Sequence, residues 1–143
     1  MVQDAAGNYY IADAVRQVIH KVTPAGALSV YAGISGKPGA DDGAATAATF
    51  HMSSGISTLV IDRAANLYLF DNCNALLRKI TPAGVVSTVA GQRSAACDGS
   101  ASEAVVADGQ RALAQFGWTT GMAIDSNGDV LLADAERQTI RRV

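Results

Sequence analysis

At 143 residues and a net charge of −2, the sequence carries enough apolar content for one domain's core and no basic excess pointing to nucleic acid or an anionic membrane. No apolar run approaches the roughly 20 residues of a membrane-spanning helix, and no basic segment followed by an apolar stretch marks the N-terminal residues, so no signal peptide is expected in this sequence. Two cysteines are too few for a disulfide scaffold or a structural zinc site, and two histidines, His20 and His51, are too few for a multi-histidine metal centre in one chain.

Met1 to Asp4 reads as the end of a strand. Asp4-Ala5-Ala6-Gly7-Asn8 is a tight hairpin turn, because Asp accepts from backbone amides two residues on and Gly tolerates positive φ. Tyr9 to Ala12 is apolar on both faces, as a strand is when its sheet is packed on both sides. The run ends at Asp13, and a short polar turn leads to a third strand, Val18 to Val22. Thr23-Pro24-Ala25-Gly26 is the next turn, with Pro setting its first corner and Gly its left-handed exit. Ala27 to Ala32 is a fourth strand.

The same text then recurs. Asp62 to Gly91 aligns with Asp4 to Gly33 at an offset of 58, without a gap and with 13 of 30 positions identical. Asp125 to Val143 repeats the first half at an offset of 63. Leu67 to Phe70 and Val130 to Ala133 are the second strands, ending at Asp71 and Asp134; Leu76 to Ile80 and Thr139 to Val143 are the third. Ala65 stands where the other two turns have Gly, so that turn is expected to be slightly strained or of another type. Four short antiparallel strands per repeat, buried on both faces, describe an all-β chain of β-propeller blades. The expected division is blade 1 at 1–33, a linker at 34–54, blade 2 at 55–91, a linker at 92–120 and a partial blade 3 at 121–143. Both linkers carry Asp-Gly, an Ala-rich stretch and Phe (Asp42-Gly43 to Phe50, Asp108-Gly109 to Phe116). The Asp is expected to cap a short helical turn, and the Phe to anchor the linker on its blade.

These residues resemble the NHL repeat in its long bacterial form: D-x-x-G-N-x-Y-x-A-D, a polar turn, I-x-K-[IV]-T-P-x-G and a final V-x-T-x-A-G. Ala65, Phe70 and the lack of Asn-Arg in the polar turn depart from that pattern. The resemblance implies a propeller, commonly six-bladed, and a non-catalytic binding or scaffold module for a protein or small ligand. Related propellers also include an amidating lyase and lactonase-like hydrolases that hold a metal in the central channel. A metal-dependent enzyme is therefore the alternative.

Antiparallel connectivity places the turns between strands two and three on one end with the interblade linkers. Arg16, Asn74 and Arg137 thus share a face with His51 and Trp118, and a ligand is expected there. Trp118 also has a structural reading, packing the linker down beside Phe116. Asp13, Asp71 and Asp134 recur once per blade, so they are expected to accept from amides of their own turns. His20, aligned with Arg78 and Arg141, is expected at a solvated strand position. No Ser-His-Asp set, phosphate loop or paired-carboxylate motif stands out, and neither a cofactor nor a metal is expected. Cys73 and Cys97 fall at the same end of the same blade. Their pairing as a disulfide would stabilise by about 3 kcal/mol through loop closure and would imply an oxidising, extracytoplasmic compartment; localisation is otherwise open. The third repeat stops before its fourth strand, so the apolar faces of the first and last blades are expected to associate. Closure of a six-bladed ring by a two-fold homodimer is the expected assembly, with a piece of a longer propeller as its rival.

Overall fold

The computed structural model describes residues 1–53, 58–93 and 113–143. The first sheet holds β1 (Val2–Gln3), β2 (Tyr9–Asp13), β3 (Val18–Val22) and β4 (Leu28–Ala32) in sequential antiparallel order. β5 (Gly43–Ala44) comes from the first linker and pairs outside the second sheet, whose own strands are β6 (Leu59–Ile61), β7 (Leu67–Asp71), β8 (Leu76–Ile80) and β9 (Val85–Ala90). The third holds β10 (Thr119–Ile124), β11 (Val130–Asp134) and β12 (Thr139–Arg142). The first strands of successive sheets, β1, β6 and β10, lie side by side. These are blades of a β-propeller.

Blade 2 explains why its strands are apolar on both faces. Every residue of β7 is buried. Leu67 and Leu69, with Ile80 and Val86, pack against Tyr10, Ile19 and Ala32 of blade 1. The alternate residues Tyr68 and Phe70, with Leu77 and Ala90, pack against Val130 and Leu132 of blade 3. Each large side chain so buried contributes about 1.5–3 kcal/mol.

The hairpin turns keep one geometry in all three blades. The N–H groups of Gly7, Ala65 and Gly128 donate to the carbonyls of Asp4, Asp62 and Asp125 at 3.0, 3.0 and 3.1 Å. The three Asp carboxylates also accept from the amides two and four residues on. Ala65 adopts φ 60°, beside 83° at Gly7 and 90° at Gly128. The turn is of the same type, and the Ala takes up a left-handed conformation that favours Gly.

The first linker departs from the sequence reading. Residues 44–48 close a single turn, the Ala47 and Ala48 N–H groups donating to the Ala44 carbonyl, but Asp42 does not cap it, and Asp108 lies outside the described residues. Gly43 and Ala44 form β5 along the outer edge of β9, with Gly43 opposite Val86 and Ala44 opposite Val85. Asp42 instead accepts from Arg78 Nη2 at 2.7 Å and from the Thr88 N–H at 2.9 Å. A guanidinium and a strand amide satisfy this carboxylate with charge-assisted hydrogen bonds. Phe50 does anchor the linker, fully buried between blades 1 and 2.

Candidate binding face

The turns between strands two and three each contain a non-glycine residue with positive φ: Gln17 (61°), Ala75 (54°) and Gln138 (54°). Gln17 uses that geometry to reach the linker. Its Oε1 accepts from the Met52 N–H at 2.6 Å, and its Nε2 donates to the Met52 carbonyl at 3.0 Å. The Cys73 N–H donates to the His51 carbonyl, and the Ala135 N–H to the Trp118 carbonyl. The end of the first linker is thus bonded to the blade 1 and blade 2 turns, and the end of the second to the blade 3 turn.

Behind that surface, each strand-two Asp sits beside a basic residue of strand three. Arg78 is 0% exposed. Its Nη1 donates to Asp71 Oδ2 and the Thr49 carbonyl, both at 3.1 Å, and its Nη2 to the Asp41 carbonyl at 2.9 Å. Its guanidinium lies 5.3 Å from the Phe50 ring centroid. Arg141 repeats the arrangement on the Gln115 carbonyl, Asp134 and the Phe116 ring. The expectation of a solvated column is thus corrected: Arg78 and Arg141 are buried, and His20 is largely so, with Nε2 3.1 Å from Asp13 Oδ2. The charges are tolerated inside because carboxylate and linker carbonyls share the guanidinium's donors.

The three Asp residues differ in what they receive. Asp13 accepts from Val15 and Arg16 amides of its own turn, as expected. Asp134 does the same with the Arg137 amide and also takes the Gly117 amide of the incoming linker at 2.9 Å, whereas Asp71 takes the His51 linker amide at 2.8 Å and, from its own turn, the Asn74 side chain in place of a backbone amide. The Arg16 amide above all, aided by His20 and the Arg16 side chain and opposed by burial, holds the Asp13 carboxyl down to about 2. Burial pushes the Asp71 carboxyl up, against the Asn74 amide, the His51 N–H and Arg78.

The five residues expected to bind a ligand are placed unequally. Arg16 is exposed and paired with Asp13 at 3.2 Å. His51, Trp118 and Arg137 are half-buried. Asn74 is turned inward at 2% exposure, its Nδ2 spent on the Gly39 carbonyl and Asp71 Oδ2, both at 2.7 Å, so it fastens the turn and offers a ligand no donor. Trp118 is held by its backbone, its N–H donating to Glu136 Oε2 at 3.1 Å. Cys73 is buried, and Cys97 lies outside the described residues. Among the described residues, no three His, Cys, Asp or Glu side chains converge on a point.

Sequence reasoning missed the Gln17 clamp and the Arg78–Asp42–Phe50 junction. A signal existed for the second: the basic residue and the strand-two Asp recur at fixed spacing in every copy, as an ion pair across neighbouring strands does.

No family model matches the chain, and no curated protein does. Solved structures do. A protein of unknown function from Bacteroides thetaiotaomicron is similar over 95% of this chain and 32% of its own, at 28% identity and a TM-score of 0.76. An auxiliary nutrient binding protein from Bacteroides ovatus is similar over 94% of this chain and 34% of its own, at 25% identity and a TM-score of 0.70. Virginiamycin B lyase from Staphylococcus aureus shares the fold alone, at 14% identity and a TM-score of 0.60, over 99% of this chain and 36% of its own. The chain spans about a third of the length of these structures.

Proposed function

We propose that this chain is a segment of a non-catalytic binding propeller of NHL type, which takes a protein or small ligand on the face formed by the strand two-to-three turns and the linkers. One observation carries the reading. Trp118 occupies the linker position that Met52 holds one blade earlier. Met52 is buried, whereas Trp118 keeps its side chain half open while Glu136 and Ala135 grip its backbone on both sides. A rigidly held, partly open Trp fastened to the turn that carries Arg137 is a low-entropy anchor for a ligand. The likeness to a nutrient binding protein supports binding over catalysis. The fold shared with a lyase supports neither, since fold does not fix function.

Trp118 is the sequence's single Trp, so its fluorescence reports on this face alone. Titration with a panel of sugars, nucleosides, amino acids and short peptides is expected to give a saturable change with at least one class. Trp118→Ala and Arg137→Ala are expected to weaken the same binding when it is read by calorimetry. A silent Trp118 across the panel, together with stoichiometric calcium or zinc in the purified protein, would reverse the ranking in favour of a metal-dependent enzyme. We also propose the Cys73–Cys97 disulfide, and with it an extracytoplasmic location. Two alkylated cysteines in mass spectra of non-reduced protein from an oxidising compartment would refute both.

A further inference from the structure

Blade 2 shows what an occupied blade entrance looks like. The linker segment 42–50 lays β5 along the edge of β9, sets the Asp42 carboxylate on the Thr88 N–H and Arg78, and slides Phe50 beneath the Arg78 guanidinium. Two linker carbonyls, of Asp41 and Thr49, complete the junction by accepting from Arg78.

Blade 1 carries the same surface without an occupant. At the 58-residue offset, Val86, Thr88 and Arg78 correspond to Leu28, Val30 and His20. Val86 is 1% exposed beside the linker, whereas its counterpart Leu28 is 65% exposed. Among the described residues no strand pairs with the outer edge of β4. His20 spends Nε2 on Asp13, as Arg78 spends Nη1 on Asp71. Its other ring nitrogen, Nδ1, is buried without a hydrogen-bond partner among the described residues, at the position from which Arg78 serves linker carbonyls. Face, edge and buried polar group correspond to those of the blade 2 junction, and the junction itself identifies what fills them.

We propose that the open face of blade 1 is a docking site for a linker segment of Asp-Gly-x6-Phe type, supplied by a further repeat of this kind. The segment's Asp would meet the Val30 N–H, its Gly-Ala pair would extend β4, and its Phe would lie against the His20 ring. The carbonyl before that Phe would accept from His20 Nδ1 with the ring in its doubly protonated form, since Nε2 already gives its proton to Asp13. A second copy of this chain fits the site less well, because its own segments 42–50 and 108–116 each lead into a blade of their own. The proposal stands apart from the ligand-binding face and does not rest on it.

The probe is a labelled peptide with the sequence of residues 34–53, added to the intact chain and followed by fluorescence anisotropy. Saturable one-to-one binding is expected, weakened at least tenfold by Asp42→Ala or Phe50→Ala in the peptide. His20→Ala in the protein should weaken it at least tenfold, and His20→Arg, which restores the side chain of blades 2 and 3, should leave it as tight or tighter. Absence of saturable binding overturns the proposal, and so does equal binding by the Phe50→Ala peptide. Hydrogen-exchange protection of the Val30 amide that grows with protein concentration and not with peptide would assign the linker seat itself to a second copy, and overturn it too.

Discussion

Ala65 holds a left-handed conformation that its counterparts Gly7 and Gly128 adopt at little cost. Ala65→Gly is therefore expected to stabilise by a few tenths to about 1 kcal/mol, the relief of that strain less the entropy added to the unfolded chain. Urea unfolding checks it, and a loss of stability would mean that the Ala methyl has a packing role there. Asp13 provides a second test at this scale. Its folded carboxyl titrates near about 2, below its ordinary 3.8, mainly because the Arg16 amide stabilises the charged form. A depressed carboxyl contributes stability above its unfolded value and loses it as pH falls through the folded one. Asp4, held down first by the Asn8 side chain, and Asp125, held down first by the Asp129 amide, add to the same acid limb. Asp13→Asn should thus be less stable than the parent at pH 7, with the gap closing between about pH 4 and pH 2. A gap independent of pH across that range would show that the carboxylate's charge is not what matters.

Among the elements, the first linker is the one whose role exceeds its appearance. It has two strand residues and no helix, yet Ala45, Ala48 and Phe50 sit in the core shared by blades 1 and 2. Phe50→Ala is expected to cost about 3–5 kcal/mol, the range for emptying a buried aromatic site. Hydrogen exchange should quicken first at Gly43, Ala44 and Thr88, whose amides lie in or beside the linker's seat. Uniform quickening over all three blades would show the linker to be no separate unit. The strands and tight turns were legible because each is encoded locally, by apolar runs of strand length and by Asp, Pro and Gly at fixed offsets. The linker was not. Asp42 finds its partner 36 residues later, in Arg78, and nothing near Asp42 announces that. The burial of Arg78 was hidden for a related reason: a charged residue in a strand reads as solvated until its carboxylate and carbonyl partners are brought round it. On the candidate face, connectivity predicts one end for Arg16, His51, Trp118, Arg137 and Asn74, but Asn74 could not be known to turn inward without the Gly39 carbonyl that captures it.

At the scale of the whole molecule, the stacking of blades leaves two sheet faces that no blade covers among the described residues. Tyr9, Leu28 and Val30 are exposed on blade 1, and Ile140 is 69% exposed on blade 3. Apolar faces of this kind drive association, and two copies of three blades make the six-bladed ring expected from the repeat resemblance. Such a ring leaves the linker seat beside His20 empty, so we propose that closure by a second copy is weak. Light scattering should show an apparent mass near two chains at high concentration that falls toward one chain on dilution. A monomer at every concentration would show that the open faces do not attract one another. Mass that grows without limit would point to open-ended stacking in place of ring closure.

The seating of Asp42 and Phe50 on Arg78 also has a consequence for the order of events during synthesis. Each linker leaves the ribosome before the blade that will hold it, so the first waits, unfastened, until β8 has followed. Blade 1 can pair its own four strands in the meantime, since every partner in that sheet is already made. Assembly by translation is thus stepwise: a sheet forms, its successor's linker is exposed, and the arrival of one arginine locks linker and new blade together. Contacts so distant along the chain close slowly, and in that interval the Phe-bearing linker is the segment most open to a chaperone or to misassembly with another chain.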